Sequence, residues 1–427
     1  MKIVSARPGV NASGHLVLSV DVSKKYLDCY VRFTDTYRRI QNSTPAVESH
    51  LASLVELASQ ENLSGVLVAC EPSGGFERTL LDTARRLHCQ SVYVAGEQVA
   101  QLRKIESLDT GKTDIKDPRV IELAVRLGKT QRYRSLPPIY EELRLFTAAC
   151  DSDEQSRART KQRIITTTIG LFQGYDIGKD RFFSRTGRAV IDAYRLDPSS
   201  IVRAGRLRFA RTMRRRVPGI HTATLDKIYS QAEVAGPRLD GAAGVLKNRI
   251  HDLMGDLERY DARIARHRAR IEAHGRTLQD MGLLCTLDRD MSGLTLYNLA
   301  RIAGEAGPFT DFHSKRALLR YAGLNLRERQ SGVYRGRTRL SKKGRIMLRK
   351  SVAQASFPLL RHDRLFGPFY GLKRAGGMCA QKAQVAIMRK FLTMVFAMSR
   401  SGEPFDPYRF THVEYSRTGH HHLQTVC

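Results

Sequence analysis

The chain has 427 residues, of which 71 are Lys or Arg and 42 are Asp or Glu, giving a formal charge of +29 with 42% hydrophobic residues. That length exceeds the usual single-domain range of about 100 to 200, so two or three domains are expected. The charge favours a polyanionic partner, nucleic acid foremost. No stretch approaches the roughly 20 apolar residues of a membrane span, and the N-terminal MKIVSARPGVNASGH lacks the apolar run of a signal peptide. Seven cysteines (Cys29, Cys70, Cys89, Cys150, Cys285, Cys379, Cys427) are scattered without a CxxC, which argues against a disulfide framework or a zinc site and fits a reducing cytoplasm.

Residues 16–22 (LVLSVDV), 27–33, 66–70 (VLVAC) and 91–95 (SVYVA) are short apolar, β-branched runs that predict strands. Between and after them, 45–60, 75–88 and 97–107 space apolar residues at helical intervals. A strand meander followed by alternating helices and strands predicts an α/β domain over 14–135, its sheet partly antiparallel and partly parallel. From 137 to 172 the pattern predicts a long connecting helix. Residues 201–216 (IVRAGRLRFARTMRRR) carry seven arginines and no acid, so Arg206, Arg208, Arg211, Arg214, Arg215 and Arg216 are expected to face phosphates. A merely solvated face is the alternative, weakened by the absence of interleaved acids. VPGIHTATL at 217–225 reads as a proline-glycine turn opening a helix. Over 243–275, Leu246, Ile250, Leu253, Leu257, Tyr260, Ile264 and Ile271 follow helical spacing, which predicts a coiled-coil pairing helix or one packed on its own chain. Residues 136–280 thus form a helical linker with a basic patch.

Beyond a turn near 281–293, helices around 294–304 and 314–322 lead to a second basic stretch at 327–350, with ten basic residues and one acidic. AQKAQVAIMRKFLTMVFAM at 380–398 predicts an apolar core helix with Met388, Met394 and Met398 as packing residues. These segments make a mostly α C-terminal domain over 281–405. The remaining 406–427 is a polar tail whose HHH at 420–422 reads as disordered rather than metal-binding.

Four acids stand out. Asp21 lies in an apolar strand, where a carboxylate is costly unless paired or metal-bound, and Glu71 ends another, in VLVACEPSGG. With Asp114 and Asp117 of GKTDIKDP (111–118) they supply the oxygen donors suited to two divalent cations of the Mg²⁺ kind, with Mn²⁺ as a substitute. Taken singly, Asp117 could instead cap a helix ahead of Pro118, and Asp114 could be a surface charge. The proline predicts Asp117 at the helix N-terminus and Asp114 in the loop before it.

An Asp in the first strand, a Glu after VACEPSGG, the KTDIKD run, and FTDFHSKRALLRYAGLNLRERQSGVYRGRTRLSKKGRIMLRKSV at 309–352 together resemble the DEDD transposases of the insertion-sequence 110/1111 family. The resemblance covers most of residues 16 to 405. It implies a RuvC-like N-terminal domain of ribonuclease H fold and a C-terminal transposase domain, on either side of the helical coiled-coil linker. The implied acidic tetrad falls on Asp21, Glu71, Asp114 and Asp117; Asp28, Asp35, Glu77 and Asp109 do not match it. The implied serine nucleophile falls on Ser331 of RQSG, with Ser341 of RLSKKG as the runner-up. Arg327, Arg329, Arg335 and Arg337 would clamp phosphates beside it, with Arg339, Lys342, Lys343 and Arg345 extending the basic surface. Further implications are donor and target DNA, a structured noncoding bridge RNA that guides both, a covalent phosphoserine intermediate, a homodimer assembling into a tetramer, and a prokaryotic, nucleoid-associated setting. Two departures stand against the family pattern: LDRDMSGLT at 287–295 replaces a proline-glycine turn, and Pro118 replaces an alanine. A hydrolytic RuvC-like Holliday-junction nuclease is the alternative, needing the acids but not Ser331; a nonenzymatic nucleic-acid-binding protein with structural carboxylates is a third reading.

Overall fold

The computed structural model describes residues 14–106, 116–235, 241–286, 294–327, 330–331, 334–335, 339–362 and 366–403. The chain divides into two compact units, one formed by 1–144 with 272–427 and the other by 145–271.

The first unit begins with a mixed sheet. Strands β1 (Leu16–Val22), β2 (Tyr26–Val31), β3 (Thr36–Gln41), β4 (Val66–Cys70), β5 (Gln90–Val94) and β6 (Thr130–Arg132) lie in the order β3-β2-β1-β4-β5-β6. The first three form an antiparallel meander, β4 and β5 run parallel to β1, and β6 returns antiparallel. Alternate residues face opposite sides. Leu16, Leu18 and Val20 pack with α1 (Thr44–Gln60) and α2 (Arg78–Arg86) through Val47, Leu51, Leu80 and Leu81. On the other face, Leu67, Ala69, Val92 and Val94 meet Val99 of α3 (Gly96–Glu106) and Val120, Ile121 and Ala124 of α4 (Lys116–Arg126). Each aliphatic side chain so buried contributes about 1.5 to 3 kcal/mol.

The predicted strand at 27–33 stops at Val31, where a 3-10 turn over Arg32–Thr34 and a left-handed Asp35 (φ 47°) redirect the chain into β3. β3 and β6 lie outside the predicted strands. β3 is an edge strand with Ile40 as its only buried residue, so TYRRIQ carries little apolar signal.

The long connection is α5 (Pro138–Leu171). After it come α6 (Lys179–Phe182), α7 (Arg185–Tyr194), α8 (Pro198–Ala204), α9 (Arg206–Arg216), α10 (Thr222–Ala235) and α11 (Ala242–Asp280). The basic segment 201–216 spans two helices, because Gly205 at φ 76° ends α8 and opens α9. Phe172, Phe182, Val190, Ile201, Phe209, Met213 and Ile228 fill the core of the second unit, and Ile250, Leu253 and Leu257 of α11 join them with Leu246 against their edge. Over 246–257 the predicted pairing stripe is therefore occupied by its own chain, and a coiled-coil linker is not confirmed. Antiparallel α5 and α11 are joined by Asp153–Arg263 (2.6 Å), Glu154–Arg268 (2.8 Å) and Arg157–Asp261 (3.1 Å).

The rest of the first unit is mostly helical: α12 (Leu296–Ala306), α13 (Lys315–Tyr321), α14 (Ile346–His362), α15 (Phe366–Ala375) and α16 (Ala380–Ser401). Met388 and Met398 are buried in α16 and Met394 is half-buried. Between α13 and α14, β7 (Leu326–Arg327) pairs antiparallel with β10 (Arg339–Leu340), and β8 (Gln330–Ser331) with β9 (Tyr334–Arg335). Among the described residues no helix is long and apolar enough to cross a membrane. The 287–293 part of the predicted turn, and the tail from 404 onward with its histidines, lie outside the described residues.

Candidate active site

Asp21 and Glu71 are brought together by strand register. Val20 pairs with Cys70 in the last rung of the parallel β1–β4 ladder, so Asp21 and Glu71 directly follow that rung at the C-terminal ends of neighbouring strands. Both share the parity of Ser19 and Ala69, which puts them on the sheet face covered by α3 and α4. Glu71 points toward the start of α3: a Cβ on Gly96 would stand 3.0 Å from its Oε2. Asp117 reaches the same face from the first turn of α4, where a carboxylate also complements the helix dipole. It is 5% exposed. Asp114 lies outside the described residues.

Asp117 is approached by Arg103 from α3, with Nη2 2.6 Å from Oδ1, yet that buried oxygen accepts no hydrogen bond of acceptable geometry. Three carboxylates on one face match in kind the oxygen donors that a hard divalent cation prefers, and the Arg103 guanidinium supplies positive charge to Asp117 at that face. Among the described residues, no three His, Cys, Asp or Glu side chains are set closely enough to hold a metal ion by themselves.

Two neighbouring acids are engaged structurally. Asp28, directly across β2 from Asp21, is buried and holds Arg39 through Nε (2.7 Å) and Nη2 (3.2 Å), and accepts a hydrogen bond from Tyr37. Burial and the Asp28 bond push the Tyr37 hydroxyl up to about 12. Glu77 accepts from the Ser73 amide (3.2 Å), the Ser73 hydroxyl (2.8 Å) and the Gly75 amide (2.8 Å), while Tyr93 donates to its other oxygen (3.2 Å). Burial would raise its carboxyl, but hydrogen bonds from its own amide, Ser73 and Gly75 outweigh that and hold it below the usual 4.5. Burial, then the Glu77 charge, drives Tyr93 well above its ordinary value.

Ser331 lies on β8, its backbone paired with Tyr334, inside the nested ladders spanning 326–340. Only the backbone is described for Ser331 and Arg335, and Arg329 and Arg337 lie outside the described residues. Arg327 and Arg339 are directly opposed across β7–β10, and both are exposed. Like charges so placed repel, and a bound anion would relieve them. Ser341 donates its hydroxyl to Asn325 and its amide to the Asn325 carbonyl (2.8 Å). Lys342 is exposed. Lys343 pairs with Glu97 of α3 at 2.6 Å, one residue from the glycine that abuts Glu71, so the 341–345 segment reaches the acid-bearing face. Arg345 turns inward to Glu305 at 2.5 Å, with side chains 13% and 2% exposed.

On α9, Arg206 finds acids that its own segment lacks: Asp226 (3.6 Å) and Glu233 (3.7 Å) of α10, while its guanidinium lies over the Tyr229 ring. Arg214 donates to Thr222 (3.1 Å). Arg208, Arg211, Arg215 and Arg216 are exposed.

A family profile described as "Transposase", of the DEDD IS110 type, matches residues 18–172, and one described as "Transposase IS116/IS110/IS902 family" matches 287–371. The chain is also similar to the "Insertion element IS110 uncharacterized 43.6 kDa protein" of Streptomyces coelicolor, 24% identical over 374 residues that cover 86% of this chain and 88% of that protein. The first match spans every described acid of the site, and the second spans the ladders that carry Ser331. Two matches to one family, in order along the chain and spanning both Asp21 and Glu71 at the ends of neighbouring strands and the ladders of Ser331, lead to one conclusion: this chain belongs to the IS110 family of DEDD transposases and is a DNA transposase.

Proposed function

We propose that the chain excises and inserts a mobile element by phosphoryl transfer at a carboxylate site on a RuvC-like, ribonuclease H-type sheet, with Ser331 as the nucleophile. The observation that carries this reading is the placement of Asp21 and Glu71 directly after the Val20–Cys70 rung of neighbouring parallel strands, on the sheet face that α4 covers. Asp21, Glu71, Asp114 and Asp117 would hold Mg²⁺, two ions per site with Mn²⁺ as a substitute, which when bound supplies Lewis acidity at the scissile phosphate. Ser331 Oγ attacks phosphorus, the bond from phosphorus to a deoxyribose oxygen breaks, and the DNA strand is left linked to the serine. A deoxyribose hydroxyl of the other duplex then attacks the same phosphorus and Ser331 departs. Bonds are exchanged rather than hydrolysed, so no external energy source is needed. The opposed Arg327 and Arg339 support a phosphate beside this hairpin.

In this reading 14–135 is the catalytic domain, 136–280 the helical linker, 281–405 the serine-bearing domain and 406–427 a tail. A structured noncoding RNA supplies sequence recognition by pairing with donor and target DNA, while broad basic surfaces bind backbones without reading bases. The acids of one protomer meet the serine of another in a dimer that assembles into a tetramer, in the nucleoid of a prokaryotic cell.

The test is to incubate the full chain with its guide RNA and element-end DNA and to look for a protein–DNA adduct on a denaturing gel. Ser331→Ala, Asp21→Asn and Glu71→Gln should each abolish it. A fully active Ser331→Ala enzyme would overturn the serine step, and cleavage without an adduct would favour a hydrolytic nuclease.

A further inference from the structure

Asp21 and Glu71 leave the sheet through two loops, and one side chain joins those loops. Asn42, the first residue after β3, donates from Nδ2 to the Ser23 carbonyl at 3.0 Å and to the Phe76 carbonyl at 2.9 Å. Ser23 is two residues beyond Asp21, and Phe76 is five beyond Glu71. Its backbone amide also donates to Lys25 (2.9 Å) in the first loop. The second loop has no ladder to hold it, and Gly74 and Gly75 there adopt φ 76° and 116°. Glu77 fixes that loop from inside by collecting the Ser73 and Gly75 amides.

We propose that Asn42, acting with Glu77, is a positioning residue that sets the spacing of the Asp21 and Glu71 carboxylates. The chemistry of the amide suits the task. One nitrogen carries two hydrogens and can bridge two carbonyl oxygens, which neither a carboxylate nor a hydroxyl can do. The opposite orientation would turn the amide oxygen toward both carbonyls, so the donors fix the side chain. Oδ1 is buried and accepts no hydrogen bond, which leaves bridging as the amide's contribution here. A two-metal site tolerates little change in the distance between its carboxylates, and groups that orient metal ligands commonly govern metal affinity 10- to 100-fold.

The inference rests on the reading of Asp21 and Glu71 as metal ligands, and the test separates the two. Asn42→Asp keeps the size and removes both donors; Asn42→Ser keeps one. In metal-free protein that retains its melting temperature, hydrogen exchange at the Ser73 and Gly75 amides should accelerate about tenfold in Asn42→Asp and less in Asn42→Ser. The Mg²⁺ concentration giving half-maximal DNA cleavage should rise about tenfold, while the rate at saturating Mg²⁺ approaches that of the unaltered enzyme. A merely structural role would lower the rate by the same factor at every Mg²⁺ concentration. Unchanged exchange with unchanged half-saturation would overturn the inference while Asp21→Asn and Glu71→Gln still abolish cleavage. If those two variants cleave normally, the metal-site reading itself fails.

Discussion

Arg103 and Asp117 form an ion contact at the edge of the site, with side chains 34% and 8% exposed. Removing the arginine would leave a nearly buried carboxylate without its counter-charge. For a fully buried pair that costs about 3 to 5 kcal/mol; with the arginine one-third exposed, roughly 1 to 3 kcal/mol is expected. Arg103→Gln should therefore lower the melting temperature by several degrees in chelator, and Mg²⁺ should restore more stability to the variant than to the parent. Equal Mg²⁺ stabilisation of both proteins would exclude Asp117 as a ligand. His50 offers a second test at this scale. It is 8% exposed on α1, with both ring nitrogens buried and lacking hydrogen-bond partners. Burial, then the charge of Arg38, lowers its pKa below 6.5. The unfolded chain thus binds the proton first as the pH drops, so stability falls below about 6.5. His50→Leu should raise stability by about 1 to 3 kcal/mol through loss of the unpaired polar atoms. The gain should widen from pH 7 to pH 5 in denaturant titrations.

Elements meet most closely where glycine permits it. A Cβ on Gly304 of α12 would stand 2.6 Å from Leu143 Cβ of α5. The backbones are held there by Arg144, which donates to the carbonyls of Gly304 (2.9 Å) and Glu305 (3.0 Å). Gly304→Val should destabilise the protein by about 1 to 3 kcal/mol through overpacking, read as a lower melting temperature with a near-normal helical spectrum. At this scale the sequence was legible wherever burial is continuous or periodic. β1, β4 and β5 are apolar runs, and α5, α11 and α16 show their spacing over many turns. It was opaque where an element depends on its neighbours. β3 is a strand because β2 pairs with it, and the acids that neutralise Arg206 come from α10. The same contrast runs through the site. Asp21 and Glu71 announce themselves as carboxylates at the ends of apolar strands, whereas Asn42 acquires its meaning from a carbonyl 34 residues away. Glu77 could have been suspected from its spacing after two glycines, but not its four hydrogen bonds.

Across the whole molecule, the excess of 29 positive charges is unevenly available to DNA. Lys343 and Arg345 use theirs on Glu97 and Glu305, and Arg263, Arg268 and Arg157 join α5 to α11. Arg208, Arg211 and Arg215 differ: they are exposed, they lie at three- and four-residue steps on one side of α9, and they make no ion pair among the described residues. An unneutralised arginine face releases counterions when phosphates dock on it, and each contact contributes about 0.9 to the slope of log affinity against log salt for duplex DNA. Replacing the three by glutamine should weaken duplex binding similarly for all sequences and flatten that slope by about 2 to 3, with little change in melting temperature. Arg345→Gln supplies the contrast, since it uncovers the buried Glu305 and should lower the melting temperature while leaving the slope nearly intact. Anisotropy titrations of a labelled duplex between about 50 and 200 mM salt read both slopes. If the triple variant keeps the parental slope, this face of α9 does not touch the phosphates and the charge that binds DNA lies elsewhere on the chain.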